Sequence, residues 1–193
     1  TNSGSTWTAV GTVSSASSLL LAADANTRLY FAPAANYNGS STSALTVRGW
    51  DQTSGSAGTK VSTASNGGTT AFSSATDVID VTVTAVNDAP VASGSATLAA
   101  VNEDISTAAP GATISSLFSG NFSDATDQVT GGSSANTFAG IAISSYTVDA
   151  AKGQWQYSTN TGTSWTTLGS ATTTTAITLD SAASTMLRFV PTA

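Results

Sequence analysis

Between Lys60 and Lys152 the chain carries no Lys, Arg or His. Over the same stretch it places Asp77, Asp80, Asp88, Glu103, Asp104, Asp124, Asp127 and Asp149. If several of these carboxylates converge in space, no basic side chain nearby in sequence can neutralise them. A divalent cation is then the natural counter-charge. The chain has no histidine and no cysteine. This removes the usual general base, the commonest transition-metal ligand, and any disulfide or zinc–cysteine site. What remains is hard oxygen chemistry, from carboxylates, Asn amides and backbone carbonyls, which suits calcium rather than copper or zinc. An Asp pair is the one arrangement left for acid–base catalysis. With a single Glu and no His, the expectation is that the chain is not an enzyme.

The elements that must position these acids read as strands. In TDVIDVTVTAV (76–86), Ile79, Val81, Val83 and Ala85 share one face and Asp80, Thr82 and Thr84 the other. SALTVRGW (43–50) sets Leu45 and Val47 opposite Thr46 and Arg48. RLYFAP (28–33), FAGIAIS (138–144), TAITL (175–179) and MLRFVP (186–191) are further short strands. Between them lie Gly/Ser/Asn clusters with turn chemistry, and interleaved Ser and Thr disfavour long helices. In GQWQYSTNTGTSWTTL (153–168), two aromatic-bearing strands flank Thr159–Gly162, where Asn and Gly can take the positive φ of a tight hairpin. Trp155, Tyr157 and Trp165 read as packing residues rather than a ligand platform. Hydrophobic content of 40% can build a core, while only 8% charged residues argue against both a disordered acidic tail and a typical cytosolic enzyme. The net charge of −6 argues against a nucleic-acid partner. No run approaches the roughly 18 apolar residues of a membrane span, so no membrane insertion of this segment is expected.

The chain also repeats itself. TNSGSTW (1–7) returns as TNTGTSW (159–165), 158 residues on, and the match runs ungapped from Thr1–Ala35 onto Thr159–Ala193. Thirteen of the 35 pairs are identical, among them the Trp, the turn glycines and the Pro, which a Ser/Thr/Ala-rich composition would not supply. Self-similarity at a fixed period marks an array. The period alone sets no boundary; the resemblance described below implies a linker at 85–91, which makes residues 1–88 the C-terminal part of one repeat and 89–193 the N-terminal part of the next. The insertion at 53–74 lengthens the final hairpin. Each part lacks strands of its own repeat, so bare edges filled by neighbouring copies are expected.

Four segments resemble the cadherin-like repeats of large bacterial surface adhesins, a family often exported by type I secretion. AVNDAPVAS (85–93) is similar to the linker of such arrays, an Asn-Asp pair before Ala-Pro; Pro90 makes it extended and stiff. VNEDIS (101–106) resembles the Asn-Glu-Asp near the start of the bacterial repeat. FSDATD (122–127) resembles its paired-Asp segment, though spaced Asp-Ala-Thr-Asp. APAANYNGSSTSALTVRGWDQTSG (32–55) resembles its Pro-x-Ala-Asn-Tyr-Asn-Gly turn and the strand that follows, ending in Asp. The resemblance implies an all-β chain of cadherin- or immunoglobulin-like β-sandwich repeats and Ca2+ as the bound ion. It implies Asn87, Asp88, Glu103, Asp124 and Asp127 as ligands. Asp51 carries over as a ligand at the far end of its own repeat, where the site should be incomplete. Asp104 reads as a turn acid, and Asp24 and Asp180 as ordinary surface residues.

The function this implies is structural. The segment would be a calcium-stabilised repeat of a long fibre on the extracellular, bacterial cell surface, supporting adhesion and biofilm formation. Its partners would be neighbouring repeats or copies, with host or biofilm glycans or proteins reached through other domains. The alternative is a calcium-dependent glycan- or peptide-binding module of the same adhesin.

Overall fold

The computed structural model describes residues 4–105 and 109–192. Thr1, Asn2 and Ser3 of the repeated phrase, Ala193 at the end of its match, and Ser106 of the VNEDIS segment lie outside the described residues. Strands dominate the described residues, and the only α-helix among them is a short one. The chain divides into two compact units, Thr1–Val86 with Val129–Ser133, and Asn87–Gln128 with Ser134–Ala193.

The first unit contains β1 (Ser18–Leu19), β2 (Gly39–Val47), β3 (Lys60–Val61) and β4 (Asp77–Val83). β2 and β4 form an antiparallel ribbon in which Leu45 faces Ile79 and Ser41 faces Val81, with a bulge between Ser41 and Leu45. At the bulge Ser43 takes a φ of 53°, and its amide donates to Asp80 Oδ1 at 2.6 Å. The polar face expected of Asp80 thus pins the irregularity. β1 pairs with β3 from the 53–74 insertion. That pairing buries Leu20, which is 4% exposed. Gly55 allows it: at φ +85° it has no side chain, and a Cβ there would stand 2.5 Å from Leu20 Cδ1. Residues 28–33, patterned as a strand, pair with none among the described residues, a correction to the sequence reading. The returning segment Val129–Ser133 is held in this unit by Asn38. Asn38 Oδ1 accepts from Ser133 N at 2.6 Å, and its Nδ2 donates to Ser133 Oγ at 2.9 Å.

The second unit contains β5 (Val91–Ala92), β6 (Ala112–Thr113), α1 (Ile114–Phe118), β7 (Phe122–Ser123), β8 (Gly140–Ile143), β9 (Gly153–Ser158), β10 (Thr166–Thr167), β11 (Ile177–Asp180) and β12 (Met186–Pro191). Its largest sheet runs β10-β9-β12-β6, all antiparallel, and β8 pairs with β11. Ile114, Leu179 and Leu187 form the buried centre. Ile141, Ile143 and Ile177 from the β8–β11 pair and Trp155 and Tyr157 from β9 pack on it, so both sheets share one core. Burying a Leu side chain contributes about 1.5–3 kcal/mol. Thr113 starts α1 as its cap, its Oγ1 accepting from Ser116 N at 3.1 Å.

The turn between β9 and β10 differs from the expected tight hairpin. Positive φ falls on Thr161 and Gly162, not on Asn160. Asn160 instead uses its side chain: Oδ1 accepts from Ser164 N at 2.9 Å and from Ser158 Oγ at 2.8 Å. An Asn that closes a loop through its amide group has no need of the left-handed region itself. Trp155 packs edge-on to Phe189, its direct cross-strand neighbour, with ring centroids 5.4 Å apart. Trp165 lies under the Arg188 guanidinium at 4.0 Å.

Candidate metal centre

The linker residues reach their place through β5. After Pro90 the chain pairs antiparallel with β7, Val91 opposite Ser123 and Ala92 opposite Phe122. The ladder continues with Ser93 N donating to Asn121 O at 2.9 Å. This short ribbon brings the residues just before β5 beside those just after β7. There Ala125–Asp127 form one turn of 3-10 helix with Asp124 at its N-cap position. The tightness of such a turn sets residues i and i+3 nearly one above the other, which is the Asp124–Asp127 spacing.

Hydrogen bonds then join four of the expected residues. Asp88 N donates to Asp127 Oδ1 at 3.0 Å. Asn87 Nδ2 donates to Asp88 O at 2.8 Å. Asn87 Oδ1 accepts from Asn136 Nδ2 at 3.3 Å, and Asn136 N donates to Asp124 Oδ2 at 2.5 Å. Asn136 is the residue that sequence reasoning missed. It closes the chain of contacts between linker and turn, yet in SSANTF an Asn among Ser and Thr looks like ordinary loop.

Burial separates this group from the other acids. Asp124 is 5% exposed and Asp127 7%, and no other carboxylate is buried among the described residues. Elsewhere in the acidic stretch, Asp149 pairs with Lys152 at 3.0 Å and Asp80 serves the bulge. Asp124 Oδ1 is buried with no hydrogen-bond partner. A buried polar atom left unsatisfied costs about 1–3 kcal/mol, and more when charged. An acid that merely terminated the turn would spend both oxygens on backbone amides or face solvent. A cation removes that cost directly, and the surrounding donors are the hard oxygens that calcium takes.

Two expected ligands stand apart. Glu103 lies exposed in the turn that Ile105 N closes onto Asn102 O at 3.3 Å, with no hydrogen bond to the group among the described residues. Asp51 lies in the first unit, where its Oδ1 accepts from Thr53 Oγ1 at 2.6 Å and from Thr53 N at 2.9 Å. Those two donors hold its carboxyl below the usual range. Among the described residues no three Asp, Glu, His or Cys side chains are gathered closely enough to hold one ion. The group brings two buried carboxylates, Asp124 and Asp127, together with Asn87, Asn136 and the Asp88 backbone.

Asp104 shares the Glu103 turn. Asp24 and Asp180 each close a turn, Asp24 by accepting from Asn26 N at 2.8 Å and Asp180 from Ala182 N at 3.3 Å. Comparison with protein-family models, curated proteins and solved structures finds no match to this chain.

Proposed function

We propose that the chain is a calcium-stabilised structural segment of a tandem-repeat fibre on a bacterial cell surface, and that it does no catalysis. The observation that carries this reading is the buried, unpartnered Oδ1 of Asp124, within a group whose donors are all hard oxygens. Asp124 and Asp127 would hold the ion with Asn87, and the Asp88 and Glu103 carboxylates would be drawn onto it on binding. The ion would supply only positive charge, neutralising carboxylates that lack a basic neighbour in sequence and fixing the linker against the 124–127 turn. The two sheets of the second unit around one core support assigning it to the β-sandwich class. The resemblance of the linker, acidic and Asn-Tyr-Asn-Gly segments to cadherin-like adhesin repeats supports the extracellular setting.

Extracellular calcium modules bind at about 10⁻⁴ to 10⁻³ M, so millimolar calcium outside a cell would fill the site and cytosolic calcium would not. Free ion at about 100 times the dissociation constant stabilises a site by about 2.7 kcal/mol. Thermal melts in calcium and in chelator test this. The melting temperature should rise with calcium in the wild type and not in Asp124→Asn. Melts that superimpose in the wild type would refute the metal part of the reading.

The exposed pair Trp7 and Tyr30, 53% and 66% accessible with ring centroids 5.2 Å apart, is what a glycan-binding reading would use. In the second copy of the phrase the equivalent positions, Trp165 and Arg188 of β12, are packed against each other. That contact supports reading the pair as packing residues.

A further inference from the structure

The first unit exposes an apolar run whose counterpart in the second unit is buried at Leu187 and half-buried at Arg188 and Phe189. Leu29, Tyr30 and Phe31 are 47%, 66% and 45% accessible, and no strand pairs with them among the described residues. Offset by 158 residues, they are Leu187, Arg188 and Phe189 of β12. β12 is an inner strand, with β9 on one side and β6 on the other. Its register places Leu187 opposite Tyr157, Arg188 opposite Gln156 and Phe189 opposite Trp155. The counterparts of β9 and β6 have no place within residues 1–193 at this offset.

We infer that residues 28–33 are a strand awaiting its partners, and that the occupant of this surface is another copy of this same repeat. It would supply Gly153–Ser158 on one side and Ala112–Thr113 on the other. In that register Phe31 meets Trp155 of the added copy and Leu29 meets Tyr157. Tyr30 meets Gln156, whose Oε1 accepts from Arg188 Nε and Nη2 at 2.9 and 2.7 Å in the second unit. A phenol donates a single hydrogen bond where the guanidinium donates two, so Tyr30 would keep the Gln156 contact in reduced form. Its ring would lie on Trp7 as Arg188 lies on Trp165. A strand that needs a partner on each side also explains why the pattern alone forms no strand at 28–33: isolated strands are not stable in water.

The inference rests on the tandem-array part of the proposed function and not on calcium, so its test is run in chelator. The 193-residue chain is extended at Thr1 by a second copy of residues 89–158, which restores one uninterrupted 158-residue repeat. The chain has no cysteine, so engineered pairs are unambiguous. Antiparallel partners stand about 4.5–5.5 Å apart at Cα, within the range a disulfide spans. Tyr30→Cys with Gln156→Cys in the added copy should oxidise to a crosslink, whereas Leu29→Cys with the same partner, one residue out of register, should not. Amide exchange at residues 29–31 should slow by about 100-fold or more relative to the unextended chain, as in a paired strand. No crosslink in either pair, equal crosslinking in both, or unchanged exchange at 29–31 would overturn the inference. None of these outcomes bears on the metal site, which a calcium titration judges separately.

Discussion

Leu187 and Leu29 hold the same place in the repeated phrase, yet the first is 7% exposed and the second 47%. Around Leu187 the segment is a six-residue strand with two neighbours. Around Leu29 nearly the same residues form no strand. The divergence begins earlier in the phrase. Ile177 and Leu179 turn inward because β11 pairs with β8. In the first copy, Ser18 and Leu19 pair instead with Lys60 and Val61, and Leu20, the counterpart of Thr178, is the residue that is buried. With a side-chain period of two, a change of partner and register turns the other face to the core. Strand propensity is thus permission rather than instruction: what a pleated segment buries depends on what lies beside it.

Truncating each leucine separates the two surroundings most strongly. Leu187→Ala should cost about 2–5 kcal/mol in urea unfolding, as for other buried Leu truncations. Leu29→Ala should stay within about 0.5 kcal/mol, as for exposed sites. Equal effects would mean that 28–33 is packed in solution. Next in size is the turn before each segment. Asp180 Oδ1 accepts from Thr185 Oγ1, and Thr185 is 1% exposed. Asp180→Ala should therefore cost about 1–3 kcal/mol by stranding a buried hydroxyl, although Asp180 itself is exposed.

Arg188→Tyr, which installs the first copy's residue, should cost about 1 kcal/mol through loss of the Trp165 stack and a Gln156 bond. Tyr30→Arg should change stability little, because both rings of that pair are exposed. The smallest effect is with acid. Asn26 N, followed by Thr27, holds the exposed Asp24 carboxyl below its ordinary value. A depressed pKa stabilises the turn above the unfolded-state value of about 3.9. That contribution fades as pH falls through the lower folded value. A carbon-detected NMR titration should place the Asp24 midpoint below that of an unstructured Asp, and a midpoint at the ordinary value would remove this turn contact from the account.

Much of the strand content was legible because period-2 patterns and turn residues are local signals. The observed strands Asp77–Val83, Gly140–Ile143 and Met186–Pro191 lie in segments that the pattern marks, and Ile177–Asp180 runs one residue past its marked segment. RLYFAP carries the same signal and fails, because pairing is decided by residues far away in sequence. The five-residue helix at Ile114–Phe118 escaped notice because ISSLF has too few turns for a 3.6-residue period to show. At the candidate metal centre, the two acids of FSDATD stand out by type and spacing. Their burial does not, since it depends on β5 pairing with β7. Asn136 was unreadable for a similar reason. Its role comes from a backbone amide and a side chain that meet residues 12 and 49 positions away.

The most direct test of the central claim is a calcium titration followed residue by residue on the backbone amides. Asp88 N and Asn136 N donate to Asp127 and Asp124, so an ion on those carboxylates must change both amide environments. The account predicts that these two resonances shift together and saturate over about 10⁻⁴ to 10⁻³ M calcium. Asp51, held by Thr53 in the first unit, should not move. Asp88 and Asn136 amides that stay fixed throughout this concentration range would contradict calcium binding at the linker, and with it the stabilising role proposed for the ion.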